Sequence, residues 1–436
     1  MKKHNRREFL KLSGLAMAGS MVPFSACTTT EQAMVVGTPI SHDQKLRVGL
    51  VGSGGRGTGA ANQALNADPN TELVAVADLF SDPIDNSLEI LKMRHGDRVN
   101  VPDEHKFTGF DGYQKVIDLD VDVILLAAPP AFRPAHFEAA VNAGIHCFCE
   151  KPVAVDAPGI RQILDSVKIA KEKNLSVVSG FCWRYHDAQR AFFGRINNGD
   201  VGEIRAIYNT YLTGSLWYRE RQPNWNDKEY QLRNWLYYNW ISGDHIVEQA
   251  VHSIDFMSWA MGDQMPVSVI GTGGRQVRTD ERYGNVYDHF AITYEYANGA
   301  KGFHACRQQP NCENSYKAEV FGSDGIGRSF ASGIEYSIKG KTNWEYEGEV
   351  NDMYQTQHDE LFEAIRTGMP VNDGELMANS TMLAIMGRMA AYTGRRITWE
   401  DAINSTEKLG PDTHDWATVP DARSLKIAMP GITQFT

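Results

Sequence analysis

The chain has 436 residues, of which 42% are hydrophobic and 22% charged, and its formal net charge is -11. That length exceeds one small core and calls for two domains behind a leader, in a composition typical of soluble globular proteins. The acidic balance argues against a nucleic-acid-binding surface, which needs a basic footprint.

Lys2, Lys3, Arg6 and Arg7 form a basic head, and a small-residue apolar stretch follows from Leu12 to Ala26. The stretch is too short and too weakly apolar for a spanning helix, so residues 1–26 read as a signal peptide. Arg6-Arg7-Glu8-Phe9-Leu10-Lys11 is similar to the twin-arginine export motif, which implies a periplasmic or envelope location. Phe24-Ser25-Ala26-Cys27 resembles a lipobox, with Phe24 in place of the usual Leu. Cys27 would then carry a lipid anchor that tethers the protein without spanning the membrane. Residues 27–44 are polar and aperiodic and read as a tether.

A strand-like run, Leu46-Arg47-Val48-Gly49-Leu50-Val51, enters the turn Gly52-Ser53-Gly54-Gly55-Arg56-Gly57. Glycines 52, 54 and 57 satisfy a G-x-G-x-x-G pattern. Gly52 permits the tight turn, Gly54 lets the backbone approach a pyrophosphate, and Gly57 lets the following helix pack close. That helix would aim its N-terminal amides at the phosphates. A second strand, Glu72 to Asp78, ends in an acid at the spacing where a carboxylate accepts hydrogen bonds from the adenosine ribose. The acid favours NAD; NADP stays open because Arg56 is nearby. Further strands end at Ala128-Pro129-Pro130 and at Glu150-Lys151-Pro152, separated by helical patterns near Tyr113 and Pro134. Ligands of such sheets lie beyond the carboxyl ends of the strands, so these ends face the expected cofactor.

Five cysteines follow the leader, at 147, 149, 182, 306 and 312, without a Cys-x-x-Cys pair or zinc-ligand spacing, and no metal site is expected. Cys147 and Cys149 share one face of a buried strand. A bridge between Cys306 and Cys312 is compatible with an oxidising compartment, but nothing requires it.

The glycine turn, the Ala-Pro-Pro strand end, Ala143-Gly144-x-His146 leading to Glu150-Lys151-Pro152, and the stretch Asp244 to Asp255 together resemble the Gfo/Idh/MocA oxidoreductase family. The resemblance runs from about Lys45 to about Trp399. It implies a Rossmann doubly wound parallel sheet over residues 45–175 and an α+β domain with a large, mostly antiparallel open sheet over 176–400, followed by a tail at 401–436. Suitable strands occur near 206–212, 267–272, 288–296, 301–307 and 316–322, with a hairpin signal at Gly322-Ser323-Asp324-Gly325. Helical patterns at 354–367 and 375–393 are each closed by a glycine. A homo-oligomer is implied by the family alone. Two departures stand out: Glu248 replaces the usual Asp, and Arg133 fills a slot often held by His, with His136 one turn on.

Oxidation of a secondary alcohol needs an electron acceptor, a base for the hydroxyl proton and a cation for the developing alkoxide. The resemblance assigns Lys151 as the cation and His252 as the base. Glu248 stands at i-4 from His252 and would share its helix face, orienting the ring. Six of the nine Trp fall between 183 and 259, interleaved with polar residues. Trp183, Arg184, Tyr185, Trp235 and Asp244 are therefore the expected contacts for a small carbohydrate substrate. Export would separate the protein from cytoplasmic cofactor recycling and implies a tightly held cofactor restored in every turnover. Oxidation coupled to a second reduction, redox-neutral glycoside hydrolysis, and non-catalytic sugar binding remain as readings.

Overall fold

The described residues are 37–330 and 335–436 of a computed structural model. The expected signal peptide, export motif and lipidated Cys27 lie outside them. Six short strands build the first sheet: β1 (Leu46–Val51), β2 (Thr71–Asp78), β3 (Lys106–Thr108), β4 (Val123–Leu126), β5 (His146–Cys149) and β6 (Val177–Ser179). All are parallel, in the order β3-β2-β1-β4-β5-β6. The central strands are buried on both faces, which is why Leu73-Val74-Ala75-Val76-Ala77 and Val123-Ile124-Leu125-Leu126 read as unbroken apolar runs. In β5, Cys147 and Cys149 enter one hydrophobic core and Phe148 the other, as a two-residue period demands. The strand order reverses between β1 and β4, and the crevice opens at the carboxyl edge there. β6, expected in the second domain, is hydrogen-bonded to β5, so the first sheet extends beyond residue 175.

The second sheet has nine strands: β7 (Ile204–Thr213), β8 (Ser268–Gly274), β9 (His289–Glu295), β10 (Lys301–Gln308), β11 (Ser315–Gly322), β12 (Gly325–Phe330), β13 (Tyr336–Gly340), β14 (Trp344–Glu345) and β15 (Ile397–Thr398). Their order is β14-β13-β12-β11-β7-β10-β9-β8-β15, and only the β7–β10 pair is parallel. The Gly322–Gly325 signal is the β11–β12 hairpin. β10 alternates buried and more exposed residues, because one face of the sheet carries helices Val251–Ala260 and Gly374–Thr393 while the other leaves Phe303 and Ile270 exposed. Cys306 and Cys312 are free thiols, one buried and one exposed, with no bridge between them.

The helix Met353–Thr367 returns to the first sheet. Leu361, Phe362 and Ile365 enter its core, and Arg366 pairs with Asp68 at 2.7 Å. The same guanidinium donates to the carbonyls of Ser41 and Gln44, so residues 37–44, expected as a free tether, are held against the body in this stretch. Both long C-terminal helices end at left-handed glycines, Gly368 (φ 65°) and Gly394 (φ 71°).

Candidate active site

The glycine turn follows β1 and opens the helix Gly55–Ala67. Gly52 has φ 95°, and a Cβ there would lie 2.3 Å from the amide nitrogen of Ala128. A Cβ on Gly57 would come within 1.8 Å of the Gly52 carbonyl oxygen, so only glycine allows helix and strand this close. Gly54 and Gly55 differ: a Cβ on either meets nothing within 4 Å, because both border open cleft. That is room for a diphosphate against bare backbone at a helix N-terminus. Ser53 is buried below the turn, and its amide donates to Asp78 Oδ2 at 2.7 Å. Phe80 N donates to Oδ1 at 3.2 Å, which aims the carboxylate into the cleft. Burial raises the Asp78 pKa, and these amides oppose the rise.

The cleft has a volume of about 1200 Å³, against roughly 300–1,000 Å³ for a typical small-molecule site, enough for a dinucleotide and a second small molecule. Ala128, Pro129, Glu150 and Lys151 line it at the strand ends. Arg56 is committed to Glu150, at 2.6 Å, and to Gln63, so its guanidinium is not directed at the ribose-side acid. Arg133, in the slot where His was expected, is buried and donates to the carbonyls of Ala128 and Pro152, joining the exits of β4 and β5. His136 lies on the Tyr113 ring, with centroids 4.1 Å apart.

Lys151, Glu248 and His252 meet in this cleft, about a hundred positions apart in the chain. The Lys151 ammonium donates to the Glu248 carbonyl oxygen at 2.7 Å. His252 Nδ1 is buried with no hydrogen-bond partner among the described residues, which leaves Nε2 as the nitrogen able to serve the cleft. Burial, with Lys151 adding to it, holds the imidazole well below its ordinary pKa and therefore neutral. Burial pushes the Glu248 carboxyl up, opposed by Lys151, Arg278 and Arg133. Glu248 makes no hydrogen bond to His252. The helix expected to carry both is two, His245–Glu248 and Val251–Ala260, broken at Gln249 and Ala250. The imidazole instead lies on the Trp183 ring, 4.9 Å between centroids and 30° between planes, with Phe181 edge-on at 6.0 Å.

Three expected substrate contacts are spent inside the protein. Arg184 pairs with Asp255 and Asp263, its strongest contacts at 2.7 and 2.6 Å. Tyr185 is buried and donates to Asp373 at 2.5 Å. Asp244 is fully buried and accepts from the amides of His245 and Tyr287 and from the Tyr392 hydroxyl. None of the three borders the cleft, because each satisfies a neighbour that burial would otherwise leave unpaired. Trp235 does line the cleft, 6.1 Å from Trp217. Trp240 is core, and Trp259 packs on Phe193.

Sequence reasoning missed several cleft residues: Phe80, Phe110 and Tyr113 from the first domain, Tyr354 from the returning helix, and the tail segment around Trp416. The one available signal for the last was an isolated Trp within the polar run Pro411 to Thr418.

An open-bordered glycine cradle at the switch point of a 3-2-1-4-5-6 sheet, with an acid on its ribose side, defines a dinucleotide-binding protein. The family model described as "Oxidoreductase family, NAD-binding Rossmann fold" matches residues 46–181, and that of the GFO/IDH/MocA C-terminal domain matches 193–328. Together they span more than half the chain, which belongs to the Gfo/Idh/MocA family of oxidoreductases. It is 25% identical over 282 residues to an inositol 2-dehydrogenase of Rhizobium meliloti, covering 64% of this chain and 74% of that protein. It is 24% identical over 221 residues to a glycosyl hydrolase family 109 protein of Shewanella pealeana, covering 47% of each. Its fold superposes on an aldose-aldose oxidoreductase of Caulobacter crescentus with a TM-score of 0.64 at 18% identity, covering 81% of this chain and 100% of that one.

Proposed function

We propose that this protein oxidises a secondary hydroxyl of a sugar, polyol or glycoside with NAD held in the cleft. The observation that carries the reading is the meeting of Lys151 and His252 in the same cleft as the glycine turn. Gly54, Gly55 and Asp78 would hold the diphosphate and the adenosine ribose, and Lys151 would border the nicotinamide end. NAD, when bound, supplies a two-electron acceptor for the carbinol carbon. The neutral imidazole of His252 takes the hydroxyl proton at Nε2. The Lys151 ammonium, fixed by one bond to the Glu248 carbonyl, keeps donors free for the alkoxide oxygen. Trp235 and Trp217 offer ring faces to the C–H face of a sugar. NAD is preferred to NADP because Asp78 repels a 2′-phosphate and Arg56 is paired elsewhere. The likeness to an inositol 2-dehydrogenase supports a polyol or sugar substrate.

The likeness to a glycosyl hydrolase family 109 protein favours a second reading, transient oxidation of a glycoside with elimination and return of the electrons. Export of a folded holo-protein, the expectation from the leader, suits either closed cycle. Incubation of the NAD-loaded protein with inositols, aldoses and aryl glycosides separates them. Nicotinamide fluorescence rising without cleavage supports oxidation, and released aglycone without net reduction supports hydrolysis. Binding without either response leaves a non-catalytic sugar binder and overturns the proposal.

A further inference from the structure

The residues beyond 404 fold back over the cofactor cleft, and their contacts are specific. Asp156, which caps the helix Ala157–Glu172, also accepts from Leu409 N at 3.0 Å, fixing the start of the returning segment. Asp415 accepts from the amides of Ala417 and Thr418 at 2.7 and 2.9 Å, so the turn that presents Trp416 is braced from within. The helix Asp227–Arg233 holds the same turn from outside. Lys228 donates to the carbonyls of Trp416 and Ala417 at 2.5 and 3.0 Å, and Gln231 donates to the Pro420 carbonyl at 3.0 Å. The last residue of that helix, Arg233, grips Asp82 through two bonds of 2.9 and 3.0 Å and lies over the Phe80 ring at 3.9 Å. One helix thus fastens the tail to the loop that follows β2, at Phe80, and to the first turn of the helix Ser81–His95, at Asp82.

Trp416, 42% exposed, is not core. It stands 5.4 Å from Phe110, edge-on, and 6.2 Å from Phe80, tilted, between ring centroids, so the three rings flank an apolar opening of the cleft. That opening adjoins Asp78, at the end of the cleft formed by the first-domain edge rather than at Lys151. If Asp78 takes the ribose and the glycine cradle the diphosphate, the group that reaches these rings is the adenine.

We propose that Trp416 is a cofactor-binding residue: with Phe80 and Phe110 it encloses the adenine of NAD, and the Asp227–Arg233 helix keeps the tail closed over it. The inference rests on NAD occupancy of the cleft and adds that the tail makes the dinucleotide a slowly exchanging, resident group. A ring stacked on a base contributes on the scale of about 1–3 kcal/mol, equivalent to about five- to 150-fold in affinity.

The test is equilibrium and stopped-flow binding of three probes, NAD, ADP-ribose and nicotinamide mononucleotide, to the full chain and to Trp416→Ala, Trp416→Phe and Lys228→Met. Trp416→Ala should weaken NAD and ADP-ribose by about tenfold or more and speed their release, leaving the mononucleotide unchanged. Trp416→Phe should restore most of the affinity, and Lys228→Met should speed release in the same direction. Should Trp416→Ala melt early, the Phe and Lys228 variants carry the comparison. Equal affinity and release of NAD across all variants overturns the proposal alone. An unmutated protein that binds no NAD overturns the cofactor reading and this inference together.

Discussion

Replacing Lys151 by Met tests the proposed chemistry most directly. Met keeps much of the length and apolar stem of the side chain and removes the ammonium, whose one visible bond is to the Glu248 carbonyl. Loss of a single preorganised donor at a developing oxyanion costs about 10²–10³ in kcat, or about 2.7–4 kcal/mol of transition-state stabilisation. NAD affinity should hold, since Gly54, Gly55 and Asp78 are untouched, and the loss should fall on kcat. The pH profile adds a second readout. Lys151 is the secondary cause that depresses His252, after burial, so its removal should move the acid limb of activity upward toward 6.5 without reaching it. The assay is initial-rate nicotinamide reduction across pH, with bound NAD measured separately, on a polyol or aldose turned over by the unmutated protein. A kcat within about tenfold of the unmutated protein, or an acid limb that moves downward, would falsify the assignment of Lys151 as the alkoxide-stabilising cation.

The glycine cradle makes two opposite predictions. Gly54→Ala has free space for its methyl, so the protein should fold normally but lose NAD affinity in a dialysis assay, whereas Gly57→Ala collides with the Gly52 carbonyl and should lower the melting temperature. Normal NAD affinity in Gly54→Ala contradicts the diphosphate placement. Arg184→Met strands the buried Asp255 carboxylate with Ser380 as its one remaining side-chain partner among the described residues and should destabilise by about 3–5 kcal/mol in denaturant titration without changing KM. A raised KM at unchanged stability returns Arg184 to the substrate site. Burial pushes His304 and His358 down to about 3 in the folded protein, against about 6.5 when unfolded. Below pH 6.5 the unfolded chain therefore binds protons that the folded one refuses. Stability is complete above 6.5 and is lost as pH falls toward 3, by up to about 1.4 kcal/mol per pH unit for each group. Melting curves between about pH 7.5 and 5 should show this slope, and a flat Tm over that interval contradicts it.

The readable parts of the fold and site were those whose physics is local. Strand β1, the glycine turn and Asp78 lie within one βαβ unit, where period and spacing carry the geometry. The long C-terminal helices were legible from their terminal glycines. The β13 and β14 strands were not, having neither a turn signal nor a strong alternating pattern. Arg184, Tyr185 and Asp244 misled because residue type and local position do not reveal partners far along the chain. Asp255 is 71 residues from Arg184, and Asp373 is 188 from Tyr185. Trp416 escaped for the same reason, since its ring neighbours belong to the opposite end of the sequence.

The broken helix between Glu248 and His252 alters the proposed chemistry more than any other departure. A histidine backed by a carboxylate gains an imidazolium-stabilising partner; His252 has an aromatic face and an unpartnered Nδ1 instead. Orientation then comes from packing between Trp183 and Phe181, while basicity comes only from the proton's destination. An imidazolium formed there sits in a buried site beside the Lys151 ammonium, so the environment that keeps the ring neutral also drives the proton off again. On the proposed reading, His252 passes its proton on rather than storing it. The carboxyl of Glu248 lines the same cleft, raised by burial and with one oxygen unpartnered among the described residues, but it makes no hydrogen bond to the ring, so the imidazolium has no direct carboxylate partner.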